Sequence, residues 1–169
     1  SYGETDSKII DSYISIARAY YDQNQAGNGD SYYTKAIQLI QKKYGTYHPE
    51  IAEPFRKLIG VYRVEQDAYF LQKLYRHILN LESKLLPRFH PNQSVILNKI
   101  ADLYLANKDY AQAYETLRQS LYIQRKHKNR FPKDYVETNS KMAELYILKR
   151  QYRTAIPLLK DALETQIAL

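Results

Sequence analysis

The sequence predicts an all-α protein made of repeated helical hairpins, and three observations carry that prediction. The first is a tyrosine that recurs every 42 residues, at Tyr20, Tyr62, Tyr104 and Tyr146. The second is a His-Pro pair at the same spacing, 48–49 and 90–91. The third is apolar spacing typical of a helix, seen at Leu97, Ile100, Ala101 and Tyr104. A fixed period of this length indicates a repeat architecture, in which neighbouring units stack to bury their apolar stripes.

Eight helices are expected, two in each of four units. In chain order they are predicted at 6–22, 31–44, 50–65, 68–85, 92–106, 110–128, 133–148 and 152–167. Prolines at 49, 91 and 132 suit the first helical turn, where a missing N–H costs nothing. The predicted units are 6–47, 48–89, 90–131 and 132–169, within a single repeat domain of residues 1–169. The start at Ser1 and the apolar helical pattern of the last residues suggest a fragment of a longer chain.

Composition restricts the classes of protein that the chain can belong to. It has 169 residues, a net charge of +7 and no cysteine, so disulfides and thiolate metal sites are excluded. No apolar run approaches the ~20 residues of a membrane span, and the start lacks a signal-peptide pattern. These features lead us to expect a soluble protein of the cytoplasm or periplasm.

Nothing in the sequence predicts catalysis. The four histidines, at 48, 77, 90 and 127, include no pair at helical zinc-binding spacing, and no glycine-rich phosphate-binding motif occurs. We therefore expect no enzyme activity, no metal and no cofactor. His48 and His90 precede prolines at equivalent places, and they are expected to cap or pack against the helix that follows each.

Two units resemble the tetratricopeptide repeat (TPR), a helical hairpin with a large, large, small, Tyr, small, large, small pattern. The third unit shows it at Leu97, Ile100, Ala101, Tyr104, Ala113, Leu117 and Ser120. The fourth shows it at Asn139, Met142, Ala143, Tyr146, Ala155, Leu159 and Ala162. The 42-residue period and the His-Pro pair resemble the kinesin-light-chain-like subclass, which also occurs in bacterial TPR proteins. The resemblance implies a right-handed α-solenoid of about four hairpins, in which the recurring tyrosines are structural.

The resemblance also implies a concave groove lined by the first helix of each unit. At the matching positions we expect the partner-binding residues Arg18, Tyr21, Arg56, Lys57, Arg63, Asn98, Lys99, Asp102, Lys141 and Glu144. Asn98 stands where the family carries an asparagine that bonds a peptide backbone. The set is basic on balance, which favours an acidic peptide or a C-terminal carboxylate.

A second basic feature is the segment of residues 125–130, Arg-Lys-His-Lys-Asn-Arg, after the sixth helix. It could dock nucleic acid or an anionic lipid surface, or it could complement the helix dipole. The segment itself lacks the interleaved aromatic residues that stack on bases, which makes nucleic acid the less favoured partner.

The prediction for function is a non-catalytic protein–protein interaction module, a scaffold or adaptor that binds a peptide or partner protein in its groove. One alternative is a ligand-input or regulatory segment of a larger signalling protein. Another is a nucleic-acid-binding solenoid. Self-association through the terminal helix is a further possibility, since an uncapped repeat leaves an apolar face open.

Overall fold

The protein is described by a computed structural model that covers residues 2–169, with side chains for 6–63 and 67–169. These residues form eight α-helices, one short 3₁₀ helix at Pro49–Ala52 and no strand, which confirms the all-α class. The helices are α1 Tyr2–Asp22, α2 Ala26–Tyr44, α3 Glu53–Ile59, α4 Val64–Leu85, α5 Pro91–Ala106, α6 Tyr110–His127, α7 Pro132–Leu148 and α8 Tyr152–Ile167. None of the described helices is long and apolar enough to cross a bilayer.

The chain divides into two compact units, Ser1–Pro87 and Arg88–Leu169. Unit 1 holds α1 to α4, and α1 packs against both α2 and α3. Unit 2 holds α5 to α8, with α6 packed between α5 and α7 and with α8 packed on α7. Each unit therefore contains two of the four predicted repeats.

Three of the hairpin turns share one backbone conformation. Asn24, Lys108 and Arg150 are spaced at multiples of 42 residues, and each has a positive φ between 57° and 59°. The amide after each of them donates to the carbonyl of the recurring tyrosine five residues earlier, Tyr20, Tyr104 or Tyr146. This arrangement is the Schellman motif, which satisfies carbonyls at a helix C-terminus. The turn conformation therefore recurs in register with the tyrosine in three of the four predicted repeats.

The recurring tyrosine rings pack between helices, as expected for structural residues. Tyr20 stacks on Tyr32 of α2, with ring centres 5.8 Å apart. Tyr62 packs on Phe70 of α4 at 5.1 Å, and Tyr146 meets the edge of Tyr114 of α6 at 6.3 Å.

Both His-Pro pairs begin helices in the same way. The Nδ1 atom of His48 accepts from the amide of Glu50 at 3.2 Å, and that of His90 accepts from Asn92 at 3.1 Å. The imidazole thus takes the role of an N-cap side chain, because it satisfies an amide that has no partner within the helix. Of the two expected roles, capping or packing against the following helix, these bonds show capping.

The helix boundaries of the second repeat were predicted wrongly. The single helix expected at 50–65 is instead the 3₁₀ helix followed by the short α3, which ends at Ile59 before Gly60. The α4 helix begins at Val64, and the Arg63 amide before it is held by the Asp67 carboxylate at 3.0 Å. Asp67 itself has non-helical dihedral angles, so α4 is kinked there. The kink lies close to the position at which the other three repeats have their hairpin turn. The loop between the first two helices is also shorter than predicted, since α2 begins at Ala26 and not at residue 31.

The kinked α4 is fixed to the rest of unit 1 by buried side chains. The Tyr33 hydroxyl on α2 donates to the buried Glu82 carboxylate at 2.5 Å, and the Phe55 ring on α3 meets the edge of Tyr75 at 5.5 Å. Tyr33 and Glu82 are both fully buried.

Candidate partner-binding surface

The predicted groove residues of α1 differ in exposure. Arg18 is half-buried, whereas Tyr21 is 4% exposed and its hydroxyl donates to Asp30 on α2 at 2.8 Å. Burial, together with Asp30, raises the pKa of Tyr21 well above its usual range. A Cβ at Gly29 would lie 2.6 Å from the Tyr21 ring, so the two helices approach closely at this point. Tyr21 therefore fills the interior of the first hairpin.

The cations of the second repeat lie at or near the surface, and two of the three are paired with carboxylates. Arg56 donates to Glu53 on its own helix at 3.0 Å. Lys57 reaches from α3 to Asp11 on α1. Arg63 is exposed just before α4.

Asn98 lies in the interior of unit 2 and is only 1% exposed. Its Nδ2 donates to Thr138 of α7 at 2.9 Å, while its Oδ1 accepts from Ser120 of α6 at 2.7 Å. The side chain joins three helices, and its position disfavours a role in holding a peptide backbone. Periodicity could not reveal this placement, because every residue from His90 to Asn98 is buried, polar ones included, and this part of α5 has no exposed face.

The remaining predicted residues of unit 2 form one charged cluster on α5 and α7. Lys141 Nζ lies 2.5 Å from Asp102 Oδ1 and 3.8 Å from Glu137. Lys99 lies 3.7 Å from the other oxygen of Asp102. Glu144, one turn along α7 from Lys141, is exposed. We call this set, Lys99, Asp102, Glu137, Lys141 and Glu144, the α5–α7 charged surface.

The ion pairs repeat along the chain. Lys57, Lys99 and Lys141 occupy equivalent positions, 42 residues apart. Two of the three, Lys57 and Lys141, pair with an aspartate on the preceding first helix of the same unit. A lysine at the repeat spacing was the sequence signal for this contact. Because these cations are paired, the preference for an acidic partner is weaker than the list of residues suggested.

The basic segment 125–130 is only partly available. His127 Nε2 lies 3.1 Å from the Phe89 carbonyl oxygen, and Lys128 donates to Asp161 of α8 at 2.8 Å. Burial opposes ionisation of Asp161, but hydrogen bonds from Lys128, Tyr135 and Asn139 outweigh it and lower the pKa of that carboxyl. Arg125 and Lys126 remain on the surface of α6.

The outer face of α8 is apolar and exposed. Its large side chains, at 41% to 77% exposure, are Tyr152, Ile156, Leu159, Leu163 and Ile167. At the equivalent positions of α6, Leu117 and Leu121 are buried, because α7 covers that face.

No group of three or more histidines, aspartates and glutamates within the described side chains could hold a metal ion. The α5–α7 charged surface presents lysines and carboxylates side by side on two helices. The arrangement suits binding by ion pairs and hydrogen bonds.

Comparison with known proteins identifies the repeat. Residues 10–43, spanning most of α1 and α2, match the sequence model of the tetratricopeptide repeat, and so do residues 95–127 on α5 and α6. These two hairpins are tetratricopeptide repeats. One matched repeat lies in each compact unit, and the other two hairpins follow them at the 42-residue spacing.

Solved structures extend the likeness to nearly the whole chain. The nearly identical TPR-like repeats of a putative kinesin light chain from Podosopora anserina match at a TM-score of 0.53 and 22% identity. A point variant of that protein matches at 0.54, also at 22% identity. Each match covers 93% of this chain and 74% of the other, and at this identity the likeness is one of fold. No curated protein matches the chain in sequence.

Proposed function

We propose that this TPR chain is a non-catalytic protein-interaction module that binds a peptide or partner protein on its first helices. TPR repeats generally serve protein–protein interaction, which is the common use of stacked helical hairpins. The observation that carries the proposal is the α5–α7 charged surface, where Lys141 of one first helix is fixed to Asp102 of the preceding one.

Such a surface can recognise a partner with little ordering cost. Lys141 is only 17% exposed at its side chain and is already held by Asp102, so its position is set before binding. Lys99 is more exposed and lies at the longer distance, 3.7 Å, from Asp102. An acidic side chain of the partner would compete with Asp102 for Lys99. A basic side chain of the partner could form ion pairs with Glu137 and Glu144.

Unit 1 offers a second stretch of the same kind, with Arg18, Arg56, Lys57 and Arg63 on or beside its first helices. Here Asp11 and Glu53 balance two of the four cations. The unit 1 stretch by itself favours an acidic side chain. The α5–α7 charged surface, with two lysines and three carboxylates, suits a partner of mixed charge.

Selection from a random peptide library displayed on phage tests the proposal. The immobilised chain is compared with Lys99→Gln/Lys141→Gln and with the control Lys149→Gln/Lys160→Gln, which removes two exposed lysines elsewhere in unit 2. We expect selected peptides to bind the control as they bind the wild type, and to bind the first variant about tenfold more weakly. Peptides that bind all three proteins equally would place the site off the α5–α7 charged surface.

A further inference from the structure

A cavity of about 430 Å³ opens on unit 2, on a face that the proposed function does not use. Its apolar walls are Phe89 of the loop before α5, Leu97 of α5, and Leu121 and Tyr122 of α6. Arg118 and Arg125 of α6 also line it. Pockets of a few hundred Å³ with apolar walls and few polar groups are typical of small-molecule sites.

Phe89 holds an unusual conformation at this cavity. Its φ is +62°, in the left-handed region that bulky side chains rarely adopt. His127 lies 3.1 Å from the Phe89 carbonyl oxygen and thereby ties the loop to α6. In this conformation the Phe89 ring meets the edge of Tyr122, with ring centres 5.3 Å apart. Backbone strain of this kind concentrates at binding sites, where it is part of the preorganised geometry.

The electrostatics of the cavity favour an anion. Lys126 Nζ lies 4.4 Å from the Tyr122 ring centre and 4.7 Å from that of Phe89, and the Arg88 guanidinium lies 4.6 Å from Phe89. Neither Arg125 nor Lys126 forms an ion pair with any carboxylate among the described residues. Arg118 is oriented by Glu115, with contacts of 2.8 and 3.1 Å from two of its nitrogens to one carboxylate oxygen. Within the part of the chain that the structure describes, no acidic residue lines the cavity.

The next repeat lacks the same combination, so the site is not a general feature of the fold. Forty-two residues after Phe89 stands Phe131, which is buried and has an ordinary negative φ of −128°. The positions equivalent to Arg118, Tyr122 and Arg125 hold Lys160, Glu164 and Ile167. The aromatic wall and the second arginine are therefore present in α6 and absent from α8.

We propose that this cavity binds a small organic anion, with an oxyanion head held by Arg118 and Arg125 and a compact apolar body packed between Phe89, Tyr122 and Leu97. Arginine presents paired N–H donors that match a carboxylate or a phosphate. The aliphatic side chains at Leu97 and Leu121 suit an aromatic or branched alkyl body better than they suit a polar one.

Three probes with one naphthalene body separate the contributions of head and body. They are 1-naphthaleneacetate, 1-naphthyl phosphate and the neutral 1-naphthaleneethanol, titrated against the ¹⁵N-labelled chain and followed by amide chemical shifts. We expect at least one anion to bind about tenfold or more tightly than the alcohol, with shifts at Phe89 and Arg118–Arg125. The anion that binds more tightly identifies the head group.

Variants test the assigned contacts. Arg118→Gln/Arg125→Gln should reduce affinity for the anion to that of the alcohol. Phe89→Gly should lower the affinity for all three probes. The variant should remain folded, because glycine accepts a positive φ without strain. The control Tyr152→Ala/Arg153→Gln removes an exposed tyrosine and arginine from α8 and should change nothing.

Three outcomes would overturn the proposal: no anion binds, the alcohol binds as tightly as the anions, or the control loses as much affinity as the arginine variant. A fluorescein-labelled oligo-dT is titrated in parallel. Tighter binding of this strand, lost with Phe89→Gly and displaced by neither naphthyl anion, would assign the surface to single-stranded nucleic acid instead.

Discussion

Lys141 on α7 holds Asp102 on α5, with 2.5 Å between Nζ and Oδ1, and so links two consecutive first helices across unit 2. Lys57 and Asp11 make the corresponding link between α3 and α1 in unit 1. The pair is more buried than an ordinary surface ion pair, because the two side chains are 17% and 28% exposed. A contact of this kind both aligns the first helices and sets the charges that a partner meets.

A double-mutant cycle measures that link. With Asp102→Asn and Lys141→Gln, we expect a coupling free energy of about 0.5–1 kcal/mol from urea unfolding, reduced in high salt. The control cycle removes Glu115 and Arg118, which form an ion pair within one turn of α6. Their side chains are 51% and 63% exposed, respectively. Its coupling should be smaller, because both side chains are more than half exposed and solvent screens the pair. Equal coupling in the two cycles would contradict a structural role for the Lys141–Asp102 link.

Two glycines of α2 should respond oppositely to alanine. At Gly29 a Cβ would lie 2.6 Å from the Tyr21 ring, so Gly29→Ala should lower the free energy of unfolding by about 1–3 kcal/mol. At Gly27 nothing lies within 4 Å of the added Cβ, and Gly27→Ala should raise that free energy by about 0.5–1 kcal/mol. Thermal and urea unfolding check both, and effects of the same sign would contradict the close packing of α1 on α2.

Alkaline pH should destabilise the protein through its buried tyrosines. Burial, together with Glu82, raises the pKa of Tyr33 well above its usual range, and Tyr21 and Tyr62 shift in the same direction. Because the folded state favours the neutral phenol, its contribution is complete below about pH 10 and is lost as the pH rises further. Tyr33→Phe should weaken this loss, while costing about 1–3 kcal/mol at neutral pH by removing the bond to Glu82.

The control for that experiment is Tyr69→Phe, since Tyr69 is 74% exposed. It should leave both the stability at neutral pH and the alkaline limb of the profile unchanged. If Tyr33→Phe shows the wild-type alkaline limb, ionisation of Tyr33 does not contribute to it.

Equivalent leucines in α6 and α8 should differ in their contributions to stability. Leu117 is fully buried under α7, whereas Leu159, 42 residues later, is 41% exposed. Leu117→Ala should cost about 2–5 kcal/mol and Leu159→Ala below about 1 kcal/mol, as measured by urea unfolding. Similar costs at the two positions would indicate that α8 is covered as α6 is.

The exposed face of α8 should also control association of the chain with itself. We expect sedimentation velocity to show a species larger than the monomer as the concentration rises, and Leu159→Lys/Leu163→Lys to abolish it. Lys149→Gln/Lys160→Gln, which changes charge outside the apolar stripe, serves as the control. A wild-type chain that stays monomeric at all concentrations would show that this face does not bind a second copy.

The repeat was readable from sequence because its signals are local. Tyr104, the turn at Asn107–Asp109 and the His-Pro pairs each determine a nearby backbone feature, and α6 to α8 were predicted to within a residue at each end. The short α3 was missed because it ends before Gly60, and because the Asp67 carboxylate holds the Arg63 amide at the start of a new helix, within a continuous apolar pattern.

The binding surface was harder to predict because it depends on contacts between helices. Asn98 and Tyr21 are residue types common on surfaces, but both side chains are buried. Ser120 and Thr138 satisfy the Asn98 amide, and Asp30 accepts from the Tyr21 hydroxyl. The cavity beside Tyr122 was missed for a related reason. Its aromatic partner, Phe89, is distant in sequence from the basic segment and reaches it only through an uncommon backbone conformation.

The most direct test of the central proposal is a chemical-shift titration of the ¹⁵N-labelled chain with a peptide obtained by phage selection. The proposal predicts that the largest shifts in unit 2 fall on α5 and α7, at Lys99, Asp102, Lys141 and Glu144, and that Lys99→Gln/Lys141→Gln removes them. Shifts confined to α6 or α8, with binding unaffected by that variant, would contradict binding through the first helices.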